Sequence, residues 1–211
     1  MTTQYTVNEI FYSLQGEGVR TGTPNVFVRF AGCNMRCAVE PGDKSPGGFD
    51  CDTEFMSGRK MTPEELACAM CDVASTAARH HPNGAWCILT GGEPGLQVDV
   101  DLIGYLQDHN WKIAIETNGS IALPCGLDWI TVSPKVAEHC IKQTTANEVK
   151  YVRGYGQAIP KTAVKADHYL ISPAFDGNVV EQRTMDWCVN LVKENPQWRL
   201  SVQQHKSMLI R

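Results

Sequence analysis

From Asn25 onward the chain alternates short apolar runs with stretches of helical periodicity. The apolar runs fall at 26–31, 86–90, 111–116, 129–132, 148–152, 168–172 and 198–202, mostly bounded by Gly, Pro, Asn or Asp, and each predicts a strand. Between them, Thr62 is a good N-cap, Pro63 suits the first helical position and Glu65 completes a capping box, which predicts a helix reaching about Arg79. Val98, Leu102, Ile103 and Leu106 mark a second helix, and Met185, Cys188, Val189 and Val192 a third. Strands that alternate with helices imply a parallel sheet. A closed eight-stranded α/β barrel takes about 250 residues, more than the 211 present, so the expectation is an open, partial TIM-like barrel of about six parallel strands with few helices. No linker or repeat divides the chain, which is read as one domain, 1–211, with a cysteine-bearing loop at 32–60.

In open and closed barrels of this kind, ligands gather at the carboxyl ends of the strands. The polar and glycine-rich segments lie there: 32–52 after the first strand, Gly91-Gly92-Glu93-Pro94 after the second, Thr117-Asn118-Gly119 after the third, Ser133-Pro134-Lys135 after the fourth, and Ser172-Pro173 after a later one. Their recurrence at one end of the sheet points to a single composite site.

Composition narrows the class. Hydrophobic residues make up 43% of the chain, enough for a proper core. A formal charge of −4, without a run of Lys and Arg, leaves no electrostatic footprint for nucleic acid and favours a small-molecule substrate. Neither a basic segment followed by an apolar one at the start nor an apolar run of membrane-spanning length is present in the sequence, so the reading is cytoplasmic, with no membrane partner. Nine cysteines, an odd number, then suggest reduced thiols and metal ligation over a disulfide framework.

Cys33, Cys37 and Cys51 share one glycine-rich stretch, and three thiolates would leave a four-iron cluster with one open iron for a small molecule. A structural zinc site would want a fourth ligand, for which Cys71 is a candidate. Gly91 and Gly92 allow close approach of a ligand to the backbone, and Glu93 could accept from an ammonium group, although a tight turn with a surface Glu would look the same. Arg29 alternates with Val28 and Phe30, so its guanidinium could point inward and grip a carboxylate, or lie on a solvated face. Gln15 and Glu17 flank Gly16 in a polar turn, and His205 alternates with Val202 and Gln204 near the chain end. Cys68 and Cys71 sit in the first helix beside Leu66, Met70, Val73 and Ala77 and read as core, as do Cys87, Cys125, Cys140 and Cys188. His80 and His81 read as solvated.

Cys33-x3-Cys37 at one strand end and Gly91-Gly92-Glu93-Pro94 at the next resemble the radical S-adenosylmethionine superfamily. The superfamily's usual third cysteine position is Glu40 here, so Cys51 would supply that ligand with 38–50 looped out. That insertion, with Ser13-Leu14-Gln15-Gly16-Glu17-Gly18, Cys51-Asp52-Thr53, Glu116-Thr117-Asn118-Gly119, Ser133-Pro134-Lys135 and the segment 200–206, resembles the 7-carboxy-7-deazaguanine synthase family over nearly the whole chain.

The resemblance implies a 4Fe-4S cluster on Cys33, Cys37 and Cys51. S-adenosylmethionine would be held by Gly92, Glu93, Ser133, Pro134 and Lys135, and by Ser172, Pro173, Ala174 and Phe175. It implies a substrate pocket of Leu14, Gln15, Gly16, Arg29 and Thr90, closed by Arg211, with Glu17 and His205 as further contacts, and a magnesium ion on Thr53. The expected reaction is radical ring contraction of 6-carboxy-5,6,7,8-tetrahydropterin in 7-deazapurine and queuosine biosynthesis. A homodimer and an electron donor such as flavodoxin or ferredoxin are implied with it. Two other readings stay open at this point: a radical activase acting on a protein partner, and a non-catalytic zinc-binding module.

Overall fold

The computed structural model describes residues 3–37, 54–80 and 84–210. Among the described residues nine strands form one sheet: β1 (Tyr5–Leu14), β2 (Pro24–Phe30), β3 (Arg59–Met61), β4 (Ala85–Gly91), β5 (Trp111–Thr117), β6 (Trp129–Val132), β7 (Thr145–Arg153), β8 (Lys165–Pro173) and β9 (Trp198–Leu200). Their order is β3-β1-β2-β4-β5-β6-β7-β8-β9. Every neighbouring pair from β2 to β9 is parallel, which makes seven parallel strands, and β1 and β3 extend that edge antiparallel. The open β/α sheet expected from the periodicity is therefore present, with one more parallel strand than the expected six or so. β1 escapes the periodicity because its register shifts between Val7 and Glu9, and an irregularity of that kind breaks the alternation that marks a strand. β3 trims the expected cysteine loop at its far end.

Five α-helices among the described residues serve the sheet: α1 (Pro63–Val73), α2 (Thr76–Arg79), α3 (Val100–Asp108), α4 (Gln182–Glu194) and α5 (Gln204–Met208). The Thr62 capping box forms as expected, but the helix does not run through to Arg79. Ala74 turns extended, and Ser75 caps a separate turn by accepting from the Ala78 amide, a side-chain bond that competes with helix continuation. α1 buries Leu66, Ala67 and Met70, while Cys68 and Ala77 face solvent and Val73 is largely exposed, so the stripe is narrower than expected. Of the cysteines read as core, Cys87 and Cys188 are buried, Cys71 is half-buried, and Cys125 and Cys140 are exposed because both stand in connecting segments outside the strands. His80 is exposed as expected, and His81 lies outside the described residues.

The two faces of the sheet have different jobs. Val28, Leu89, Ile113 and Ile115 on one face pack with Leu66 and Met70 of α1 and Leu102 and Leu106 of α3, and Val149 and Ile171 pack with Cys188 of α4. Full burial of such side chains stabilises the fold by about 1.5–3 kcal/mol each. Side chains on the other face stack in layers fixed by the register. Phe27 pairs with Ile88, Ile88 with Ala114 and Ala114 with Trp129, which gives an apolar layer. Two residues further along each strand the layer is polar: Arg29 pairs with Thr90, Glu116 with Thr131 and Thr131 with Glu148.

The turn between β1 and β2 shows that this second face curls inward. Gly18 N donates to Ser201 Oγ beyond β9 at 2.9 Å, Gln204 N donates to the Gly16 carbonyl at 2.9 Å, and Val19 N donates to Glu148 Oε2 on β7 at 2.9 Å. A turn near one edge of the sheet thus bonds to the other edge, as in a partial barrel whose gap is spanned by a loop.

Candidate active site

β2 ends at Phe30 and the chain turns at Gly32, whose φ of +88° suits glycine, into the segment carrying Cys33 and Cys37. The Gly91-Gly92 turn of β4 lies against it: Gly92 N donates to the Phe30 carbonyl at 3.1 Å and Glu93 N to the Gly32 carbonyl at 2.9 Å. A Cβ on Gly92 would come within 2.6 Å of the Gly32 carbonyl carbon and 3.0 Å of the Cys33 Cβ, so only glycine allows this approach. Met35 N donates to Cys33 Sγ at 3.3 Å. Cys33, Cys37, Gly91 and Gly92 all line one cavity of about 470 Å³. Ser133, Pro134 and Lys135 after β6 line it too, as do Ser172, Pro173, Ala174 and Phe175 at the end of β8.

Glu93 has a different place from the one expected. It is fully buried and absent from the cavity wall, with its carboxylate accepting from Thr117 Oγ1 and Asn118 N at 2.7 Å each and from Gly95 N at 2.9 Å. Burial pushes the carboxyl's pKa up, against these three bonds. Its carboxylate therefore joins the loop after β4 to the loop after β5, and no oxygen is left on the wall to receive an ammonium group.

The expected substrate residues gather elsewhere, around a second cavity of about 620 Å³. Leu14, Gln15, Gly16 and Glu17 line it from the β1–β2 turn, and Arg29, Thr90 and His205 from β2, β4 and α5. His205 arrives on a helix, since β9 stops at Leu200. Cys51, Thr53 and Arg211, the expected third cluster ligand, magnesium ligand and closing residue, lie outside the described residues. The two cavities share a wall of Glu17, Glu116, Gln203 and Lys206.

No family model matches the chain. Full-length relatives do. It is 39% identical to the 7-carboxy-7-deazaguanine synthase of Bradyrhizobium diazoefficiens, with 98% of this chain and 99% of that protein covered. It is 37% identical to that of Bacteroides thetaiotaomicron and 38% identical to that of Caulobacter vibrioides, again over at least 96% of both chains. The chain belongs to the 7-carboxy-7-deazaguanine synthase family. Its fold matches the crystal structure of QueE from Escherichia coli with a TM-score of 0.67 at 24% identity, over 96% of this chain and 95% of that one.

In this synthase-family chain the shared wall sets three charged side chains, Glu17, Glu116 and Lys206, between the two cavities. Glu116, at the polar layer of β5, accepts from Gln15 Nε2 at 2.9 Å and from Thr90 Oγ1 at 3.2 Å, so three side chains of the second cavity are fixed against one another. The other end of Gln15 accepts from Glu17 N at 3.0 Å. Glu17 Oε2 pairs with the Lys150 ammonium of β7, and Glu17 Oε1 accepts from Gln203 Nε2 at 2.6 Å. Burial alone would raise the Glu17 pKa, but Lys150 and Gln203 outweigh it and bring it down to about 2. Arg29 faces Glu9 at 3.6 Å with both side chains partly exposed, leaving the guanidinium accessible from the cavity. Gly16 has no room for a side chain because the His205 ring packs on it, at 2.6 Å from a built Cβ to its Cγ.

Glu116, Gln203 and Lys206 stand in segments that carry the family resemblance, but neither they nor Lys150 had a role assigned from the sequence. Glu116 had a signal that could have found it: on β5 it stands two residues after Ala114, one layer along the inward face. Lys150 had none, since a lysine in a strand ordinarily reads as solvated. Lys206 lies over the Phe175 ring at 5.0 Å and so joins α5 to the first cavity's wall.

Proposed function

We propose that the chain contracts the ring of 6-carboxy-5,6,7,8-tetrahydropterin to 7-carboxy-7-deazaguanine with loss of ammonia, S-adenosylmethionine occupying the cysteine-lined cavity and the pterin the second one. The observation that carries this reading is the shared wall of Glu17, Glu116, Gln203 and Lys206, across which a cofactor atom and a substrate carbon would meet.

The donor set fits the cofactors: two thiols on the wall, one receiving a backbone amide bond, and a glycine pair that brings bare backbone to the same place. Cys33, Cys37 and Cys51 would hold the 4Fe-4S cluster, which would supply the electron for radical chemistry between S-adenosylmethionine and the C6–H bond of the pterin. What remains for the protein is positioning. Gly92, Ser133, Pro134 and Lys135, with 172–175, hold S-adenosylmethionine against the cysteines. Arg29 grips the pterin carboxylate as a fork of donors. Gln15, Thr90 and Glu116, already bonded to one another, present a fixed polar edge to the ring, and pre-set geometry of this kind lowers the entropy cost of reaction. Thr53 would offer its hydroxyl to a magnesium ion whose other ligands are oxygens of the substrate and waters.

No helix among the described residues is long and apolar enough to cross a membrane. The reading is of a cytoplasmic enzyme, fed by a small electron donor such as flavodoxin or ferredoxin and assembled as a homodimer. Its product would enter 7-deazapurine metabolism, queuosine included. Membership of the synthase family sets aside the activase and zinc-module readings, and Cys71, the fourth zinc ligand of the latter, packs against the helical core instead. Arg29→Gln tests the division of labour. The KM for the pterin should rise at least tenfold while the affinity for S-adenosylmethionine stays within twofold; an unchanged KM would refute the assignment of the second cavity.

A further inference from the structure

Lys150 is a buried cation in a place where lysine is rarely found, inside the barrel at the junction of the two cavities. It stands on β7 with its side chain in the first cavity, two residues after Glu148 on the same face. Glu148 is already engaged: one oxygen accepts from Val19 N at 2.9 Å and the other from Thr131 Oγ1 at 2.8 Å. The Lys150 ammonium instead pairs with Glu17, which faces both cavities.

We infer that Lys150 is a positioning residue for the substrate: it reaches from the cofactor cavity to hold the Glu17 carboxylate ionised and turned toward the pterin. This rests on the substrate assignment made above. The geometry supports it at both oxygens of Glu17. Oε2 is taken by Lys150 and Oε1 by Gln203, which pins the plane of the carboxylate, and an ionised carboxylate with about four acceptor sites keeps two for ring N–H donors. The charge supports it as well. A carboxyl this buried takes up a proton unless a cation faces it. The groups facing Glu17 are Lys150 from β7, Gln203 and His205 from the C-terminal segment, Gln15 from its own turn and Glu116 from β5, and of these Lys150 is the buried ion pair. Glu116 and Glu148 in turn help keep Lys150 protonated.

The experiment compares Lys150→Met, Lys150→Arg, Glu17→Gln and the Glu17→Gln/Lys150→Met double variant, each with a reconstituted cluster. Cluster content and S-adenosylmethionine affinity are measured first, then the pH profile of kcat/KM for the pterin. Lys150→Met should bind S-adenosylmethionine as the wild type does, raise the pterin KM at least tenfold, and move the acid limb of kcat/KM up by a pH unit or more. Lys150→Arg should restore most of the KM. The double variant, which removes both charges and therefore strands neither, should fold and be no worse than Glu17→Gln alone.

Unchanged KM and acid limb in Lys150→Met would overturn the inference. So would strictly multiplicative losses in the double variant, or a loss of S-adenosylmethionine affinity with the pterin KM untouched. Wild-type protein that does not turn over the pterin at all would sink the proposed function instead, and the two failures are told apart by that control.

Discussion

Gly92→Ala puts one methyl group where the Gly32 and Cys33 backbone already sits. The built Cβ lies 2.6 Å from the Gly32 carbonyl carbon and nearer still to its oxygen, and ordinary contact begins at 3.4 Å, so the two strand ends must part by at least about 0.8 Å. What must yield is backbone, held by the bonds from Glu93 N to the Gly32 carbonyl and from Gly92 N to the Phe30 carbonyl, and no flexible side chain can absorb the movement. Cys33 moves with it. Displacing a reacting group by about 1 Å costs roughly a hundredfold in rate, and overpacking costs about 1–3 kcal/mol in stability. The assay is kcat/KM under anaerobic turnover, with iron and sulfide content and the melting temperature measured on the same preparation. Gly104→Ala is the control: its Cβ meets nothing within 4 Å inside α3, and it should raise stability by about 0.5–1 kcal/mol without touching activity. Gly92→Ala with wild-type cluster content and kcat/KM within threefold would refute the claim that this glycine sets the distance between the two strand ends.

Three further outcomes follow from the same structure. Glu93→Gln turns an acceptor of three bonds into a partial donor facing the Asn118 amide, and should cost about 1–3 kcal/mol, read as a fall in melting temperature of roughly 2–12 °C. The two buried carboxylates should give opposite pH dependences. Glu93, with its folded pKa raised by burial, takes stability away as pH rises above the unfolded value near 4.3, whereas Glu17, lowered to about 2, adds stability above about 4.3 that is lost as pH falls toward 2. Melting curves of Glu17→Gln and the wild type should therefore converge across that acid window, and a constant gap would refute the ion pair. Thr62→Ala removes the capping box of α1 and should lower the melting temperature by roughly 2–4 °C, equivalent to about 1 kcal/mol, with kcat unchanged; a loss of activity would mean α1 does more than support the sheet.

The parallel strands from β2 to β9 were legible because each is a short apolar run between turn residues. β1 was not, since its irregularity near Val7 spoils the alternation, and its partner β3 is only three residues long. The alternation of Arg29 with Val28 and Phe30 left an inward and a solvated direction open, and only the fold turns it into the second cavity, where Thr90 had been placed by resemblance. Glu93 shows the limit of such reasoning: a glutamate after two glycines at a strand end looks accessible, and only the arrival of Thr117 and Asn118 from the next strand buries it. Cys125 and Cys140 failed for the converse reason, because apolar neighbours in sequence do not bury a residue that stands on a connecting loop. Lys150 was illegible because its partner Glu17 is 133 residues away, and the cost of burying the ammonium is offset only once the barrel has curled.

The central claim is that two adjoining cavities join a radical cofactor to a pterin. It is tested most directly by anaerobic turnover of cluster-reconstituted protein with reductant, magnesium, S-adenosylmethionine and 6-carboxytetrahydropterin, with products followed by mass spectrometry. The expected result is 7-carboxy-7-deazaguanine in amounts exceeding the S-adenosylmethionine consumed, since the cofactor is regenerated. An intact four-iron cluster that binds S-adenosylmethionine yet forms no deazaguanine would contradict the account.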